Sequence, residues 1–121
     1  MSPINYRKRK KILAGLALSV VFLSTTAGAT TTVATVSQIL LLGAGANLVY
    51  VYPTGGIAGG PSCAAGQGAA YYSFSYTRTM GPAYLAALLT AQASGATVVL
   101  FGTSACTDQS VSETLNYFII N

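Results

Sequence analysis

The sequence predicts a mostly β domain: a five-stranded barrel, one short helix between strands three and four, and one disulfide. Three observations carry this. Short runs rich in Val, Thr and Tyr are separated by glycine-containing breaks, as strands are. One stretch, Leu85–Ser94, has helical spacing and ends at Gly95. Two cysteines, Cys63 and Cys106, lie in two separate loops.

The 121-residue chain is read as a leader, 1–29, and one domain, 30–121. Arg7-Lys8-Arg9-Lys10-Lys11 is a basic n-region, Ile12–Leu23 an apolar h-region, and Ala27-Gly28-Ala29 a small-residue cleavage site, the order of a secretory signal peptide. The competing reading is a retained membrane anchor, but the apolar run falls short of the roughly 20 residues that a span needs. No cysteine near the cleavage site would take a lipid. The formal charge of +4 belongs to the leader. The remaining chain keeps Arg78, Asp108 and Glu113 and is nearly neutral. One Arg cannot neutralise a run of phosphates, which excludes nucleic acid as a partner.

Export, to the periplasm or beyond, is the setting for a disulfide between Cys63 and Cys106, two free buried thiols being the alternative. The bridge closes a loop of roughly 44 residues, about 4 kcal/mol in the chain-entropy model. That matters in a domain of about 90 residues with a thin core.

Thr30–Leu42 is the first strand, Thr- and Val-rich and ending in a solid apolar run. Gly43-Ala44-Gly45-Ala46-Asn47 breaks it, and Leu48–Tyr52 returns as the second strand of a hairpin. The break is no dinucleotide fingerprint, because the third glycine and the following helix are missing. Pro53–Gly68 is a loop carrying Cys63. Without lysine it is no phosphate-binding loop. Tyr71–Arg78 is the third strand, with Tyr72, Phe74 and Tyr76 on a buried face and Tyr71, Ser73, Ser75 and Thr77 on a wet one.

The helix runs over Pro82–Ser94, with Pro82 at the first helical position, Gly81 as N-cap and Met80 packed on Leu85 as a hydrophobic staple. Leu85, Leu88 and Leu89 form its apolar face, and Gly95 stops it in the left-handed conformation. Ala96–Gly102 is a nearly all-apolar central strand. Thr103–Ser112 is a polar loop holding Cys106, and Leu115–Ile120 is the last strand. Strand, strand, strand, helix, strand, strand is the order of the OB-fold, a partly open Greek-key barrel. The disulfide then ties the loop between strands two and three to that between strands four and five.

Leu88-Leu89, Ala91, Ser94-Gly95 and Val98, then Gly102-Thr103 and Cys106, then Ser112-Glu113-Thr114, Tyr117 and Ile120 form a pattern that resembles the C-terminal half of a group of small exported bacterial proteins. Cys63 and the Tyr72–Phe74 strand belong to it. That group is similar in layout to the B subunits of subtilase-type AB toxins, which are OB-fold pentamers that bind glycans. The resemblance implies a glycan-binding homo-oligomer and carries over no glycan-contacting residue.

Catalysis has little to stand on. There is no His, the usual general base. Asp108 and Glu113 read as loop and strand-start residues rather than a glycosidase pair. Cysteines committed to a disulfide leave too few ligands for a metal, and no cofactor is implied. Six of the eight Tyr lie between the leader and the last strand, which suits recognition of a sugar or protein surface. Against this, Tyr50, Tyr52, Tyr72 and Tyr76 can equally be packing residues. Tyr71, Ser73 and Ser75 are the candidate binding residues. Arg78 and Glu113 are expected to pair across strands three and five. The sequence therefore predicts an exported, non-enzymatic protein that recognises a glycan or protein surface. The alternative is a structural or accessory envelope protein without a small ligand.

Overall fold

The computed structural model describes residues 29–121; the expected leader, Ala29 apart, lies outside them. Five strands form one antiparallel sheet: β1 (Thr31–Leu42), β2 (Leu48–Pro53), β3 (Tyr72–Ser75), β4 (Thr97–Gly102) and β5 (Leu115–Ile120). Helix α1 (Gly81–Ser94) lies between β3 and β4. The spatial order is β3-β2-β1-β4-β5. The long β1 is shared: Thr31–Thr35 pairs with β4, and Val36–Leu42 pairs with β2.

A bulge between Val36 and Gln38 divides these halves. A bulge adds one residue and so exchanges the faces of the strand beyond it. Before it, the core side carries Thr30, Ala34 and the buried Val36; beyond it, Ile39, paired with Val51, takes over. The core closes over Val49, Val51, Tyr72, Phe74, Val98, Leu100 and Leu115, with Leu88 and Ala91 of α1 packed in. Strand β4 is interior, as expected, but the centre is β1.

The sheet is open, not a closed barrel. Its edges meet at one point, where Ser73 of β3 forms a parallel bridge with Thr114 and the Ser73 N–H donates to the Glu113 carbonyl at 3.0 Å. The physical reason is the brevity of β3. It stops at Ser75, where the Ser75 and Thr77 hydroxyls bond each other at 2.8 Å and the Arg78 N–H donates to the Ser75 carbonyl at 3.2 Å, turning the chain away. Tyr76, predicted on the buried face, is in consequence 43% exposed.

Helix α1 starts one residue early, with Met80 as N-cap. Gly81 is required for another reason: a β-carbon there would run into the Tyr76 carbonyl. Met80 is exposed and makes no staple in the core, and of the predicted apolar face Leu88 is buried, Leu85 half-buried and Leu89 exposed. Ala is its commonest residue, and Leu88 and Ala91 are the side chains it buries fully in the core. Gly95 ends it at φ 67°, with its N–H donating to the Gln92 carbonyl. Among the described residues, no helix is long and apolar enough to cross a membrane.

The disulfide Cys63–Cys106 is formed, with the Cα atoms 6.2 Å apart. It joins the β2–β3 loop, which contains two 3-10 turns (Ser62–Ala64 and Gly66–Ala70), to the β4–β5 loop.

Candidate functional site

The β4–β5 loop, residues 103–114, folds back over the outer face of β2 and β3 and builds the most polar region of the molecule. Its floor is Glu113, which is 0% exposed. The carboxyl Oε1 accepts from Thr30 Oγ1 at 2.8 Å, and Oε2 accepts from the Thr30 N–H at 3.3 Å and the Ser104 N–H at 3.1 Å. Gly102 lies so close to this carboxyl that no β-carbon would fit. Thr30 Oγ1 also bonds Tyr72 Oη at 2.5 Å, and Tyr72 bonds Thr32 Oγ1 at 2.8 Å. Thr114 Oγ1 accepts from the N–H groups of Thr107 and Asp108, at 2.9 and 3.1 Å. The Ser112-Glu113-Thr114 run and Gly102 thus build the loop itself. No buried side-chain polar atom among the described residues lacks a partner.

The same loop also holds an aromatic stack. Tyr50 and Tyr52 alternate with buried Val49 and Val51, so both rings leave β2 on its outer face. Tyr71 packs against both, with ring centroids 4.4 Å from Tyr50 and 5.0 Å from Tyr52. Gln109 of the β4–β5 loop ties the stack down: its Nε2 donates to Tyr50 Oη, and its Oε1 accepts from Tyr71 Oη at 2.9 Å and from Ser112 Oγ at 2.5 Å. Since Ser112 gives its proton to Gln109, Ser73 donates to Ser112 across 2.6 Å. Burial raises the pKa of Tyr50 and Tyr52, with the neighbouring Tyr71 adding to it, so these hydroxyls stay protonated at neutral pH.

Two of the three predicted binding residues lie elsewhere than expected. Tyr71 is 7% exposed and Ser73 0%, because the β4–β5 loop covers the face that alternation marks as wet. Ser75 is half-buried, and its N–H donates to Asp108 Oδ2 at 2.8 Å. The accessible rings are Tyr50 and Tyr52, together with Gln38 and Leu40, which pair with them on β1. In the sequence Tyr50 and Tyr52 can be recognition residues or hairpin packing. Their alternation with Val49 and Val51 was the available signal.

The expected Arg78–Glu113 pair does not form. Arg78 donates to the backbone carbonyls of Leu115 at 2.6 Å and Asn116 at 3.0 Å, and its guanidinium sits 4.8 Å from the centre of the Tyr84 ring. It caps the start of β5, while the Glu113 carboxyl is held by Thr30 and Ser104. Asp108 is committed to Ser75, so the two carboxyls serve separate backbone contacts. No cluster of three or more potential metal ligands occurs among the described residues.

Two hollows flank these features. One, about 200 Å³, lies inside the glycine-rich β2–β3 loop, walled by Gly60, Pro61, Ala64, Gly68 and Glu113. The other, about 280 Å³, is an apolar groove between Leu41, Leu42, Leu48, Tyr76 and Leu85.

No family model, no curated protein and no solved structure matches this chain. Nothing in these comparisons links it to the B subunits of subtilase-type toxins.

Proposed function

We propose that the protein is an exported, non-enzymatic recognition module that binds a glycan on the face bearing Tyr50 and Tyr52. The observation that carries this is the Tyr50–Tyr71–Tyr52 stack, held from the side by Gln109. A sugar ring stacks its C–H face on a tyrosine and takes hydrogen bonds from fixed polar groups nearby. Locked aromatic rings lose little entropy in doing so. The disulfide is consistent with an oxidising compartment, periplasmic or extracellular.

An OB-like fold supports the same face. The strand order, the shared β1, the helix between β3 and β4 and the parallel approach of β3 to Thr114 all agree with that topology. In OB-folds the face of strands two and three, with the β1–β2 and β4–β5 loops, takes oligosaccharides. That role on this chain is an argument from fold analogy.

A glycan array with the processed protein tests the reading. Saturable binding to a defined glycan is expected, weakened about tenfold, or about 1.4 kcal/mol, by Tyr52→Ala with the circular dichroism unchanged. A blank array from folded protein would sink it and favour the structural or accessory envelope role.

A second reading has its own observation. Val33, Val99, Phe101, Tyr117 and Ile119 share the outer side of β1, β4 and β5, with Phe101 stacked on Tyr117 at 4.4 Å. This face carries no charged side chain and runs out to the edge strand β5. It suits a second copy of the chain, whose own edge would extend the sheet, in keeping with the homo-oligomer implied by the toxin-subunit resemblance.

A further inference from the structure

We propose that Glu113 is the counter-ion of the α-ammonium group created when the leader is cut between Ala29 and Thr30. The inference rests on export and is independent of glycan binding. Its first observation is a buried carboxyl held by three neutral donors, the Thr30 hydroxyl and the Thr30 and Ser104 N–H groups, with no basic side chain bonded to it among the described residues. Glu113 is 0% exposed, and its Oε2 lies 3.3 Å from the Thr30 backbone nitrogen. A carboxyl taken out of water is strongly destabilising unless a cation or several donors compensate it. Among the described residues the one basic side chain is Arg78, and it is engaged with Leu115 and Asn116.

The second observation is the boundary. Ala29 is exposed, whereas Thr30 is 6% exposed and held at every polar group. Its carbonyl accepts from the Gly102 N–H at 2.9 Å, its hydroxyl donates to Glu113, and its nitrogen faces Glu113. The predicted boundary thus falls where the chain passes from an exposed residue to a seated one.

The chemistry is hydrolysis. A peptidase that cuts after small residues adds water across the Ala29–Thr30 amide, leaving a carboxylate on Ala29 and an amine on Thr30 that takes up a proton. A neutral N–H donor to Glu113 becomes a cationic one at the same position. Gly102, with no room for a β-carbon, holds the carboxyl in place on the other side. Processing therefore completes the site instead of merely removing the leader, and a chain that retains the leader lacks the ion pair.

The test exploits an accident of composition: residues 30–121 contain no lysine, so the α-amine is the single primary amine of the processed chain. The full precursor is expressed in an exporting bacterial host and the product's intact mass is measured. Acylation by an N-hydroxysuccinimide ester at pH 8 is then timed, folded and in urea. The expected results are a chain starting at Thr30 and an amine acylated about fivefold or more slowly when folded, as a pKa raised by about one unit from its ordinary value near 8 requires at this pH. Folded Glu113→Gln should lose this protection. Should that variant not fold, wild-type protein acetylated in urea and refolded takes its place, and it should melt below the unmodified protein. A different first residue would overturn the cleavage boundary. Equal acylation rates, full protection in Glu113→Gln, or an unchanged melting temperature after acetylation would overturn the ion pair.

Discussion

Gly102 shows how tightly the polar floor is specified. It ends β4 where the Glu113 carboxyl presses on the backbone, and its N–H is already given to the Thr30 carbonyl at 2.9 Å. Gly102→Ala has to displace either β4 or a carboxyl that holds Thr30 and Ser104. A loss of about 3 kcal/mol is expected, at the upper end for overpacking, measured by urea denaturation. A cost under about 0.5 kcal/mol, typical of a surface substitution, would show that the carboxyl moves freely. Tyr72 makes a second test. Burial raises its pKa above the ordinary 10.0, its bonds to Thr30 and Thr32 lower it in part, and the nearby Glu113 raises it further. A tyrosine whose folded pKa is raised contributes stability that is fully present below its unfolded value, near 10, and is lost as pH rises through the folded value. Stability should therefore be flat in this respect up to about pH 10 and fall above it. The phenolate absorbance of Tyr72 should appear only together with unfolding, and ionisation of all tyrosines in a still-folded chain would contradict this.

At the scale of the elements, the β2–β3 and β4–β5 loops are the parts least able to hold themselves. Residues 54–70 are rich in glycine and form only two short 3-10 turns, so the Cys63–Cys106 bridge has most to constrain there. Replacing both cysteines by Ala should cost about 4 kcal/mol, with hydrogen exchange rising first in residues 54–70 and 103–114 and the β1–β2–β4 ladder protected longest. Uniform loss of protection would show that the loops and the sheet unfold together. The same two loops mark where the sequence stops being legible. Strand boundaries at Leu42, Leu48, Gly102, Leu115 and Ile120 follow from local signals, glycine breaks and apolar runs, and agree with the structure to within a residue. The third strand misleads. YYSFSYTR alternates cleanly, but alternation reports a wet face only if nothing lies on it, and here Gln109 and Ser112 cover Tyr71 and Ser73. The Ser75–Thr77 turn also ends the strand before Tyr76. The covering loop cannot be read from these eight residues, and the Ser75–Thr77 contact, though within them, competes with the alternation they also carry. The bulge in β1 is hidden for a related reason: it falls at Val36-Ser37-Gln38, where β1 passes from pairing with β4 to pairing with β2, and that change of partner is not local.

For the molecule as a whole, the distribution of charge and apolar surface is the governing fact. The described chain carries three charged side chains, Arg78, Asp108 and Glu113, and each is committed to bonds within the fold. Nothing charged is therefore spread over the outer face of β1, β4 and β5, where Val33 is 65% exposed and Tyr117 and Ile119 are about half exposed. A contiguous uncharged face beside an open sheet edge is a common seat for self-association. The start of that edge is guarded: Arg78 and the Tyr84 hydroxyl occupy the Asn116 carbonyl at 3.0 and 2.9 Å, and Arg78 the Leu115 carbonyl. Pairing with a second copy would thus engage Phe118–Ile120, the half of β5 nearest the apolar patch. Light scattering on processed protein should give a mass of several chains. Ile119→Lys should reduce it to one chain with the melting profile of the separated subunit intact, since Ile119 points away from the core. Because a stable interface needs roughly 1,000 Å² or more of buried surface, Phe101→Ser should weaken assembly as well, whereas Leu89→Lys on the exposed side of α1 should not. A wild-type monomer at high concentration would remove the homo-oligomer and leave the tyrosine face as the recognition surface of a single chain.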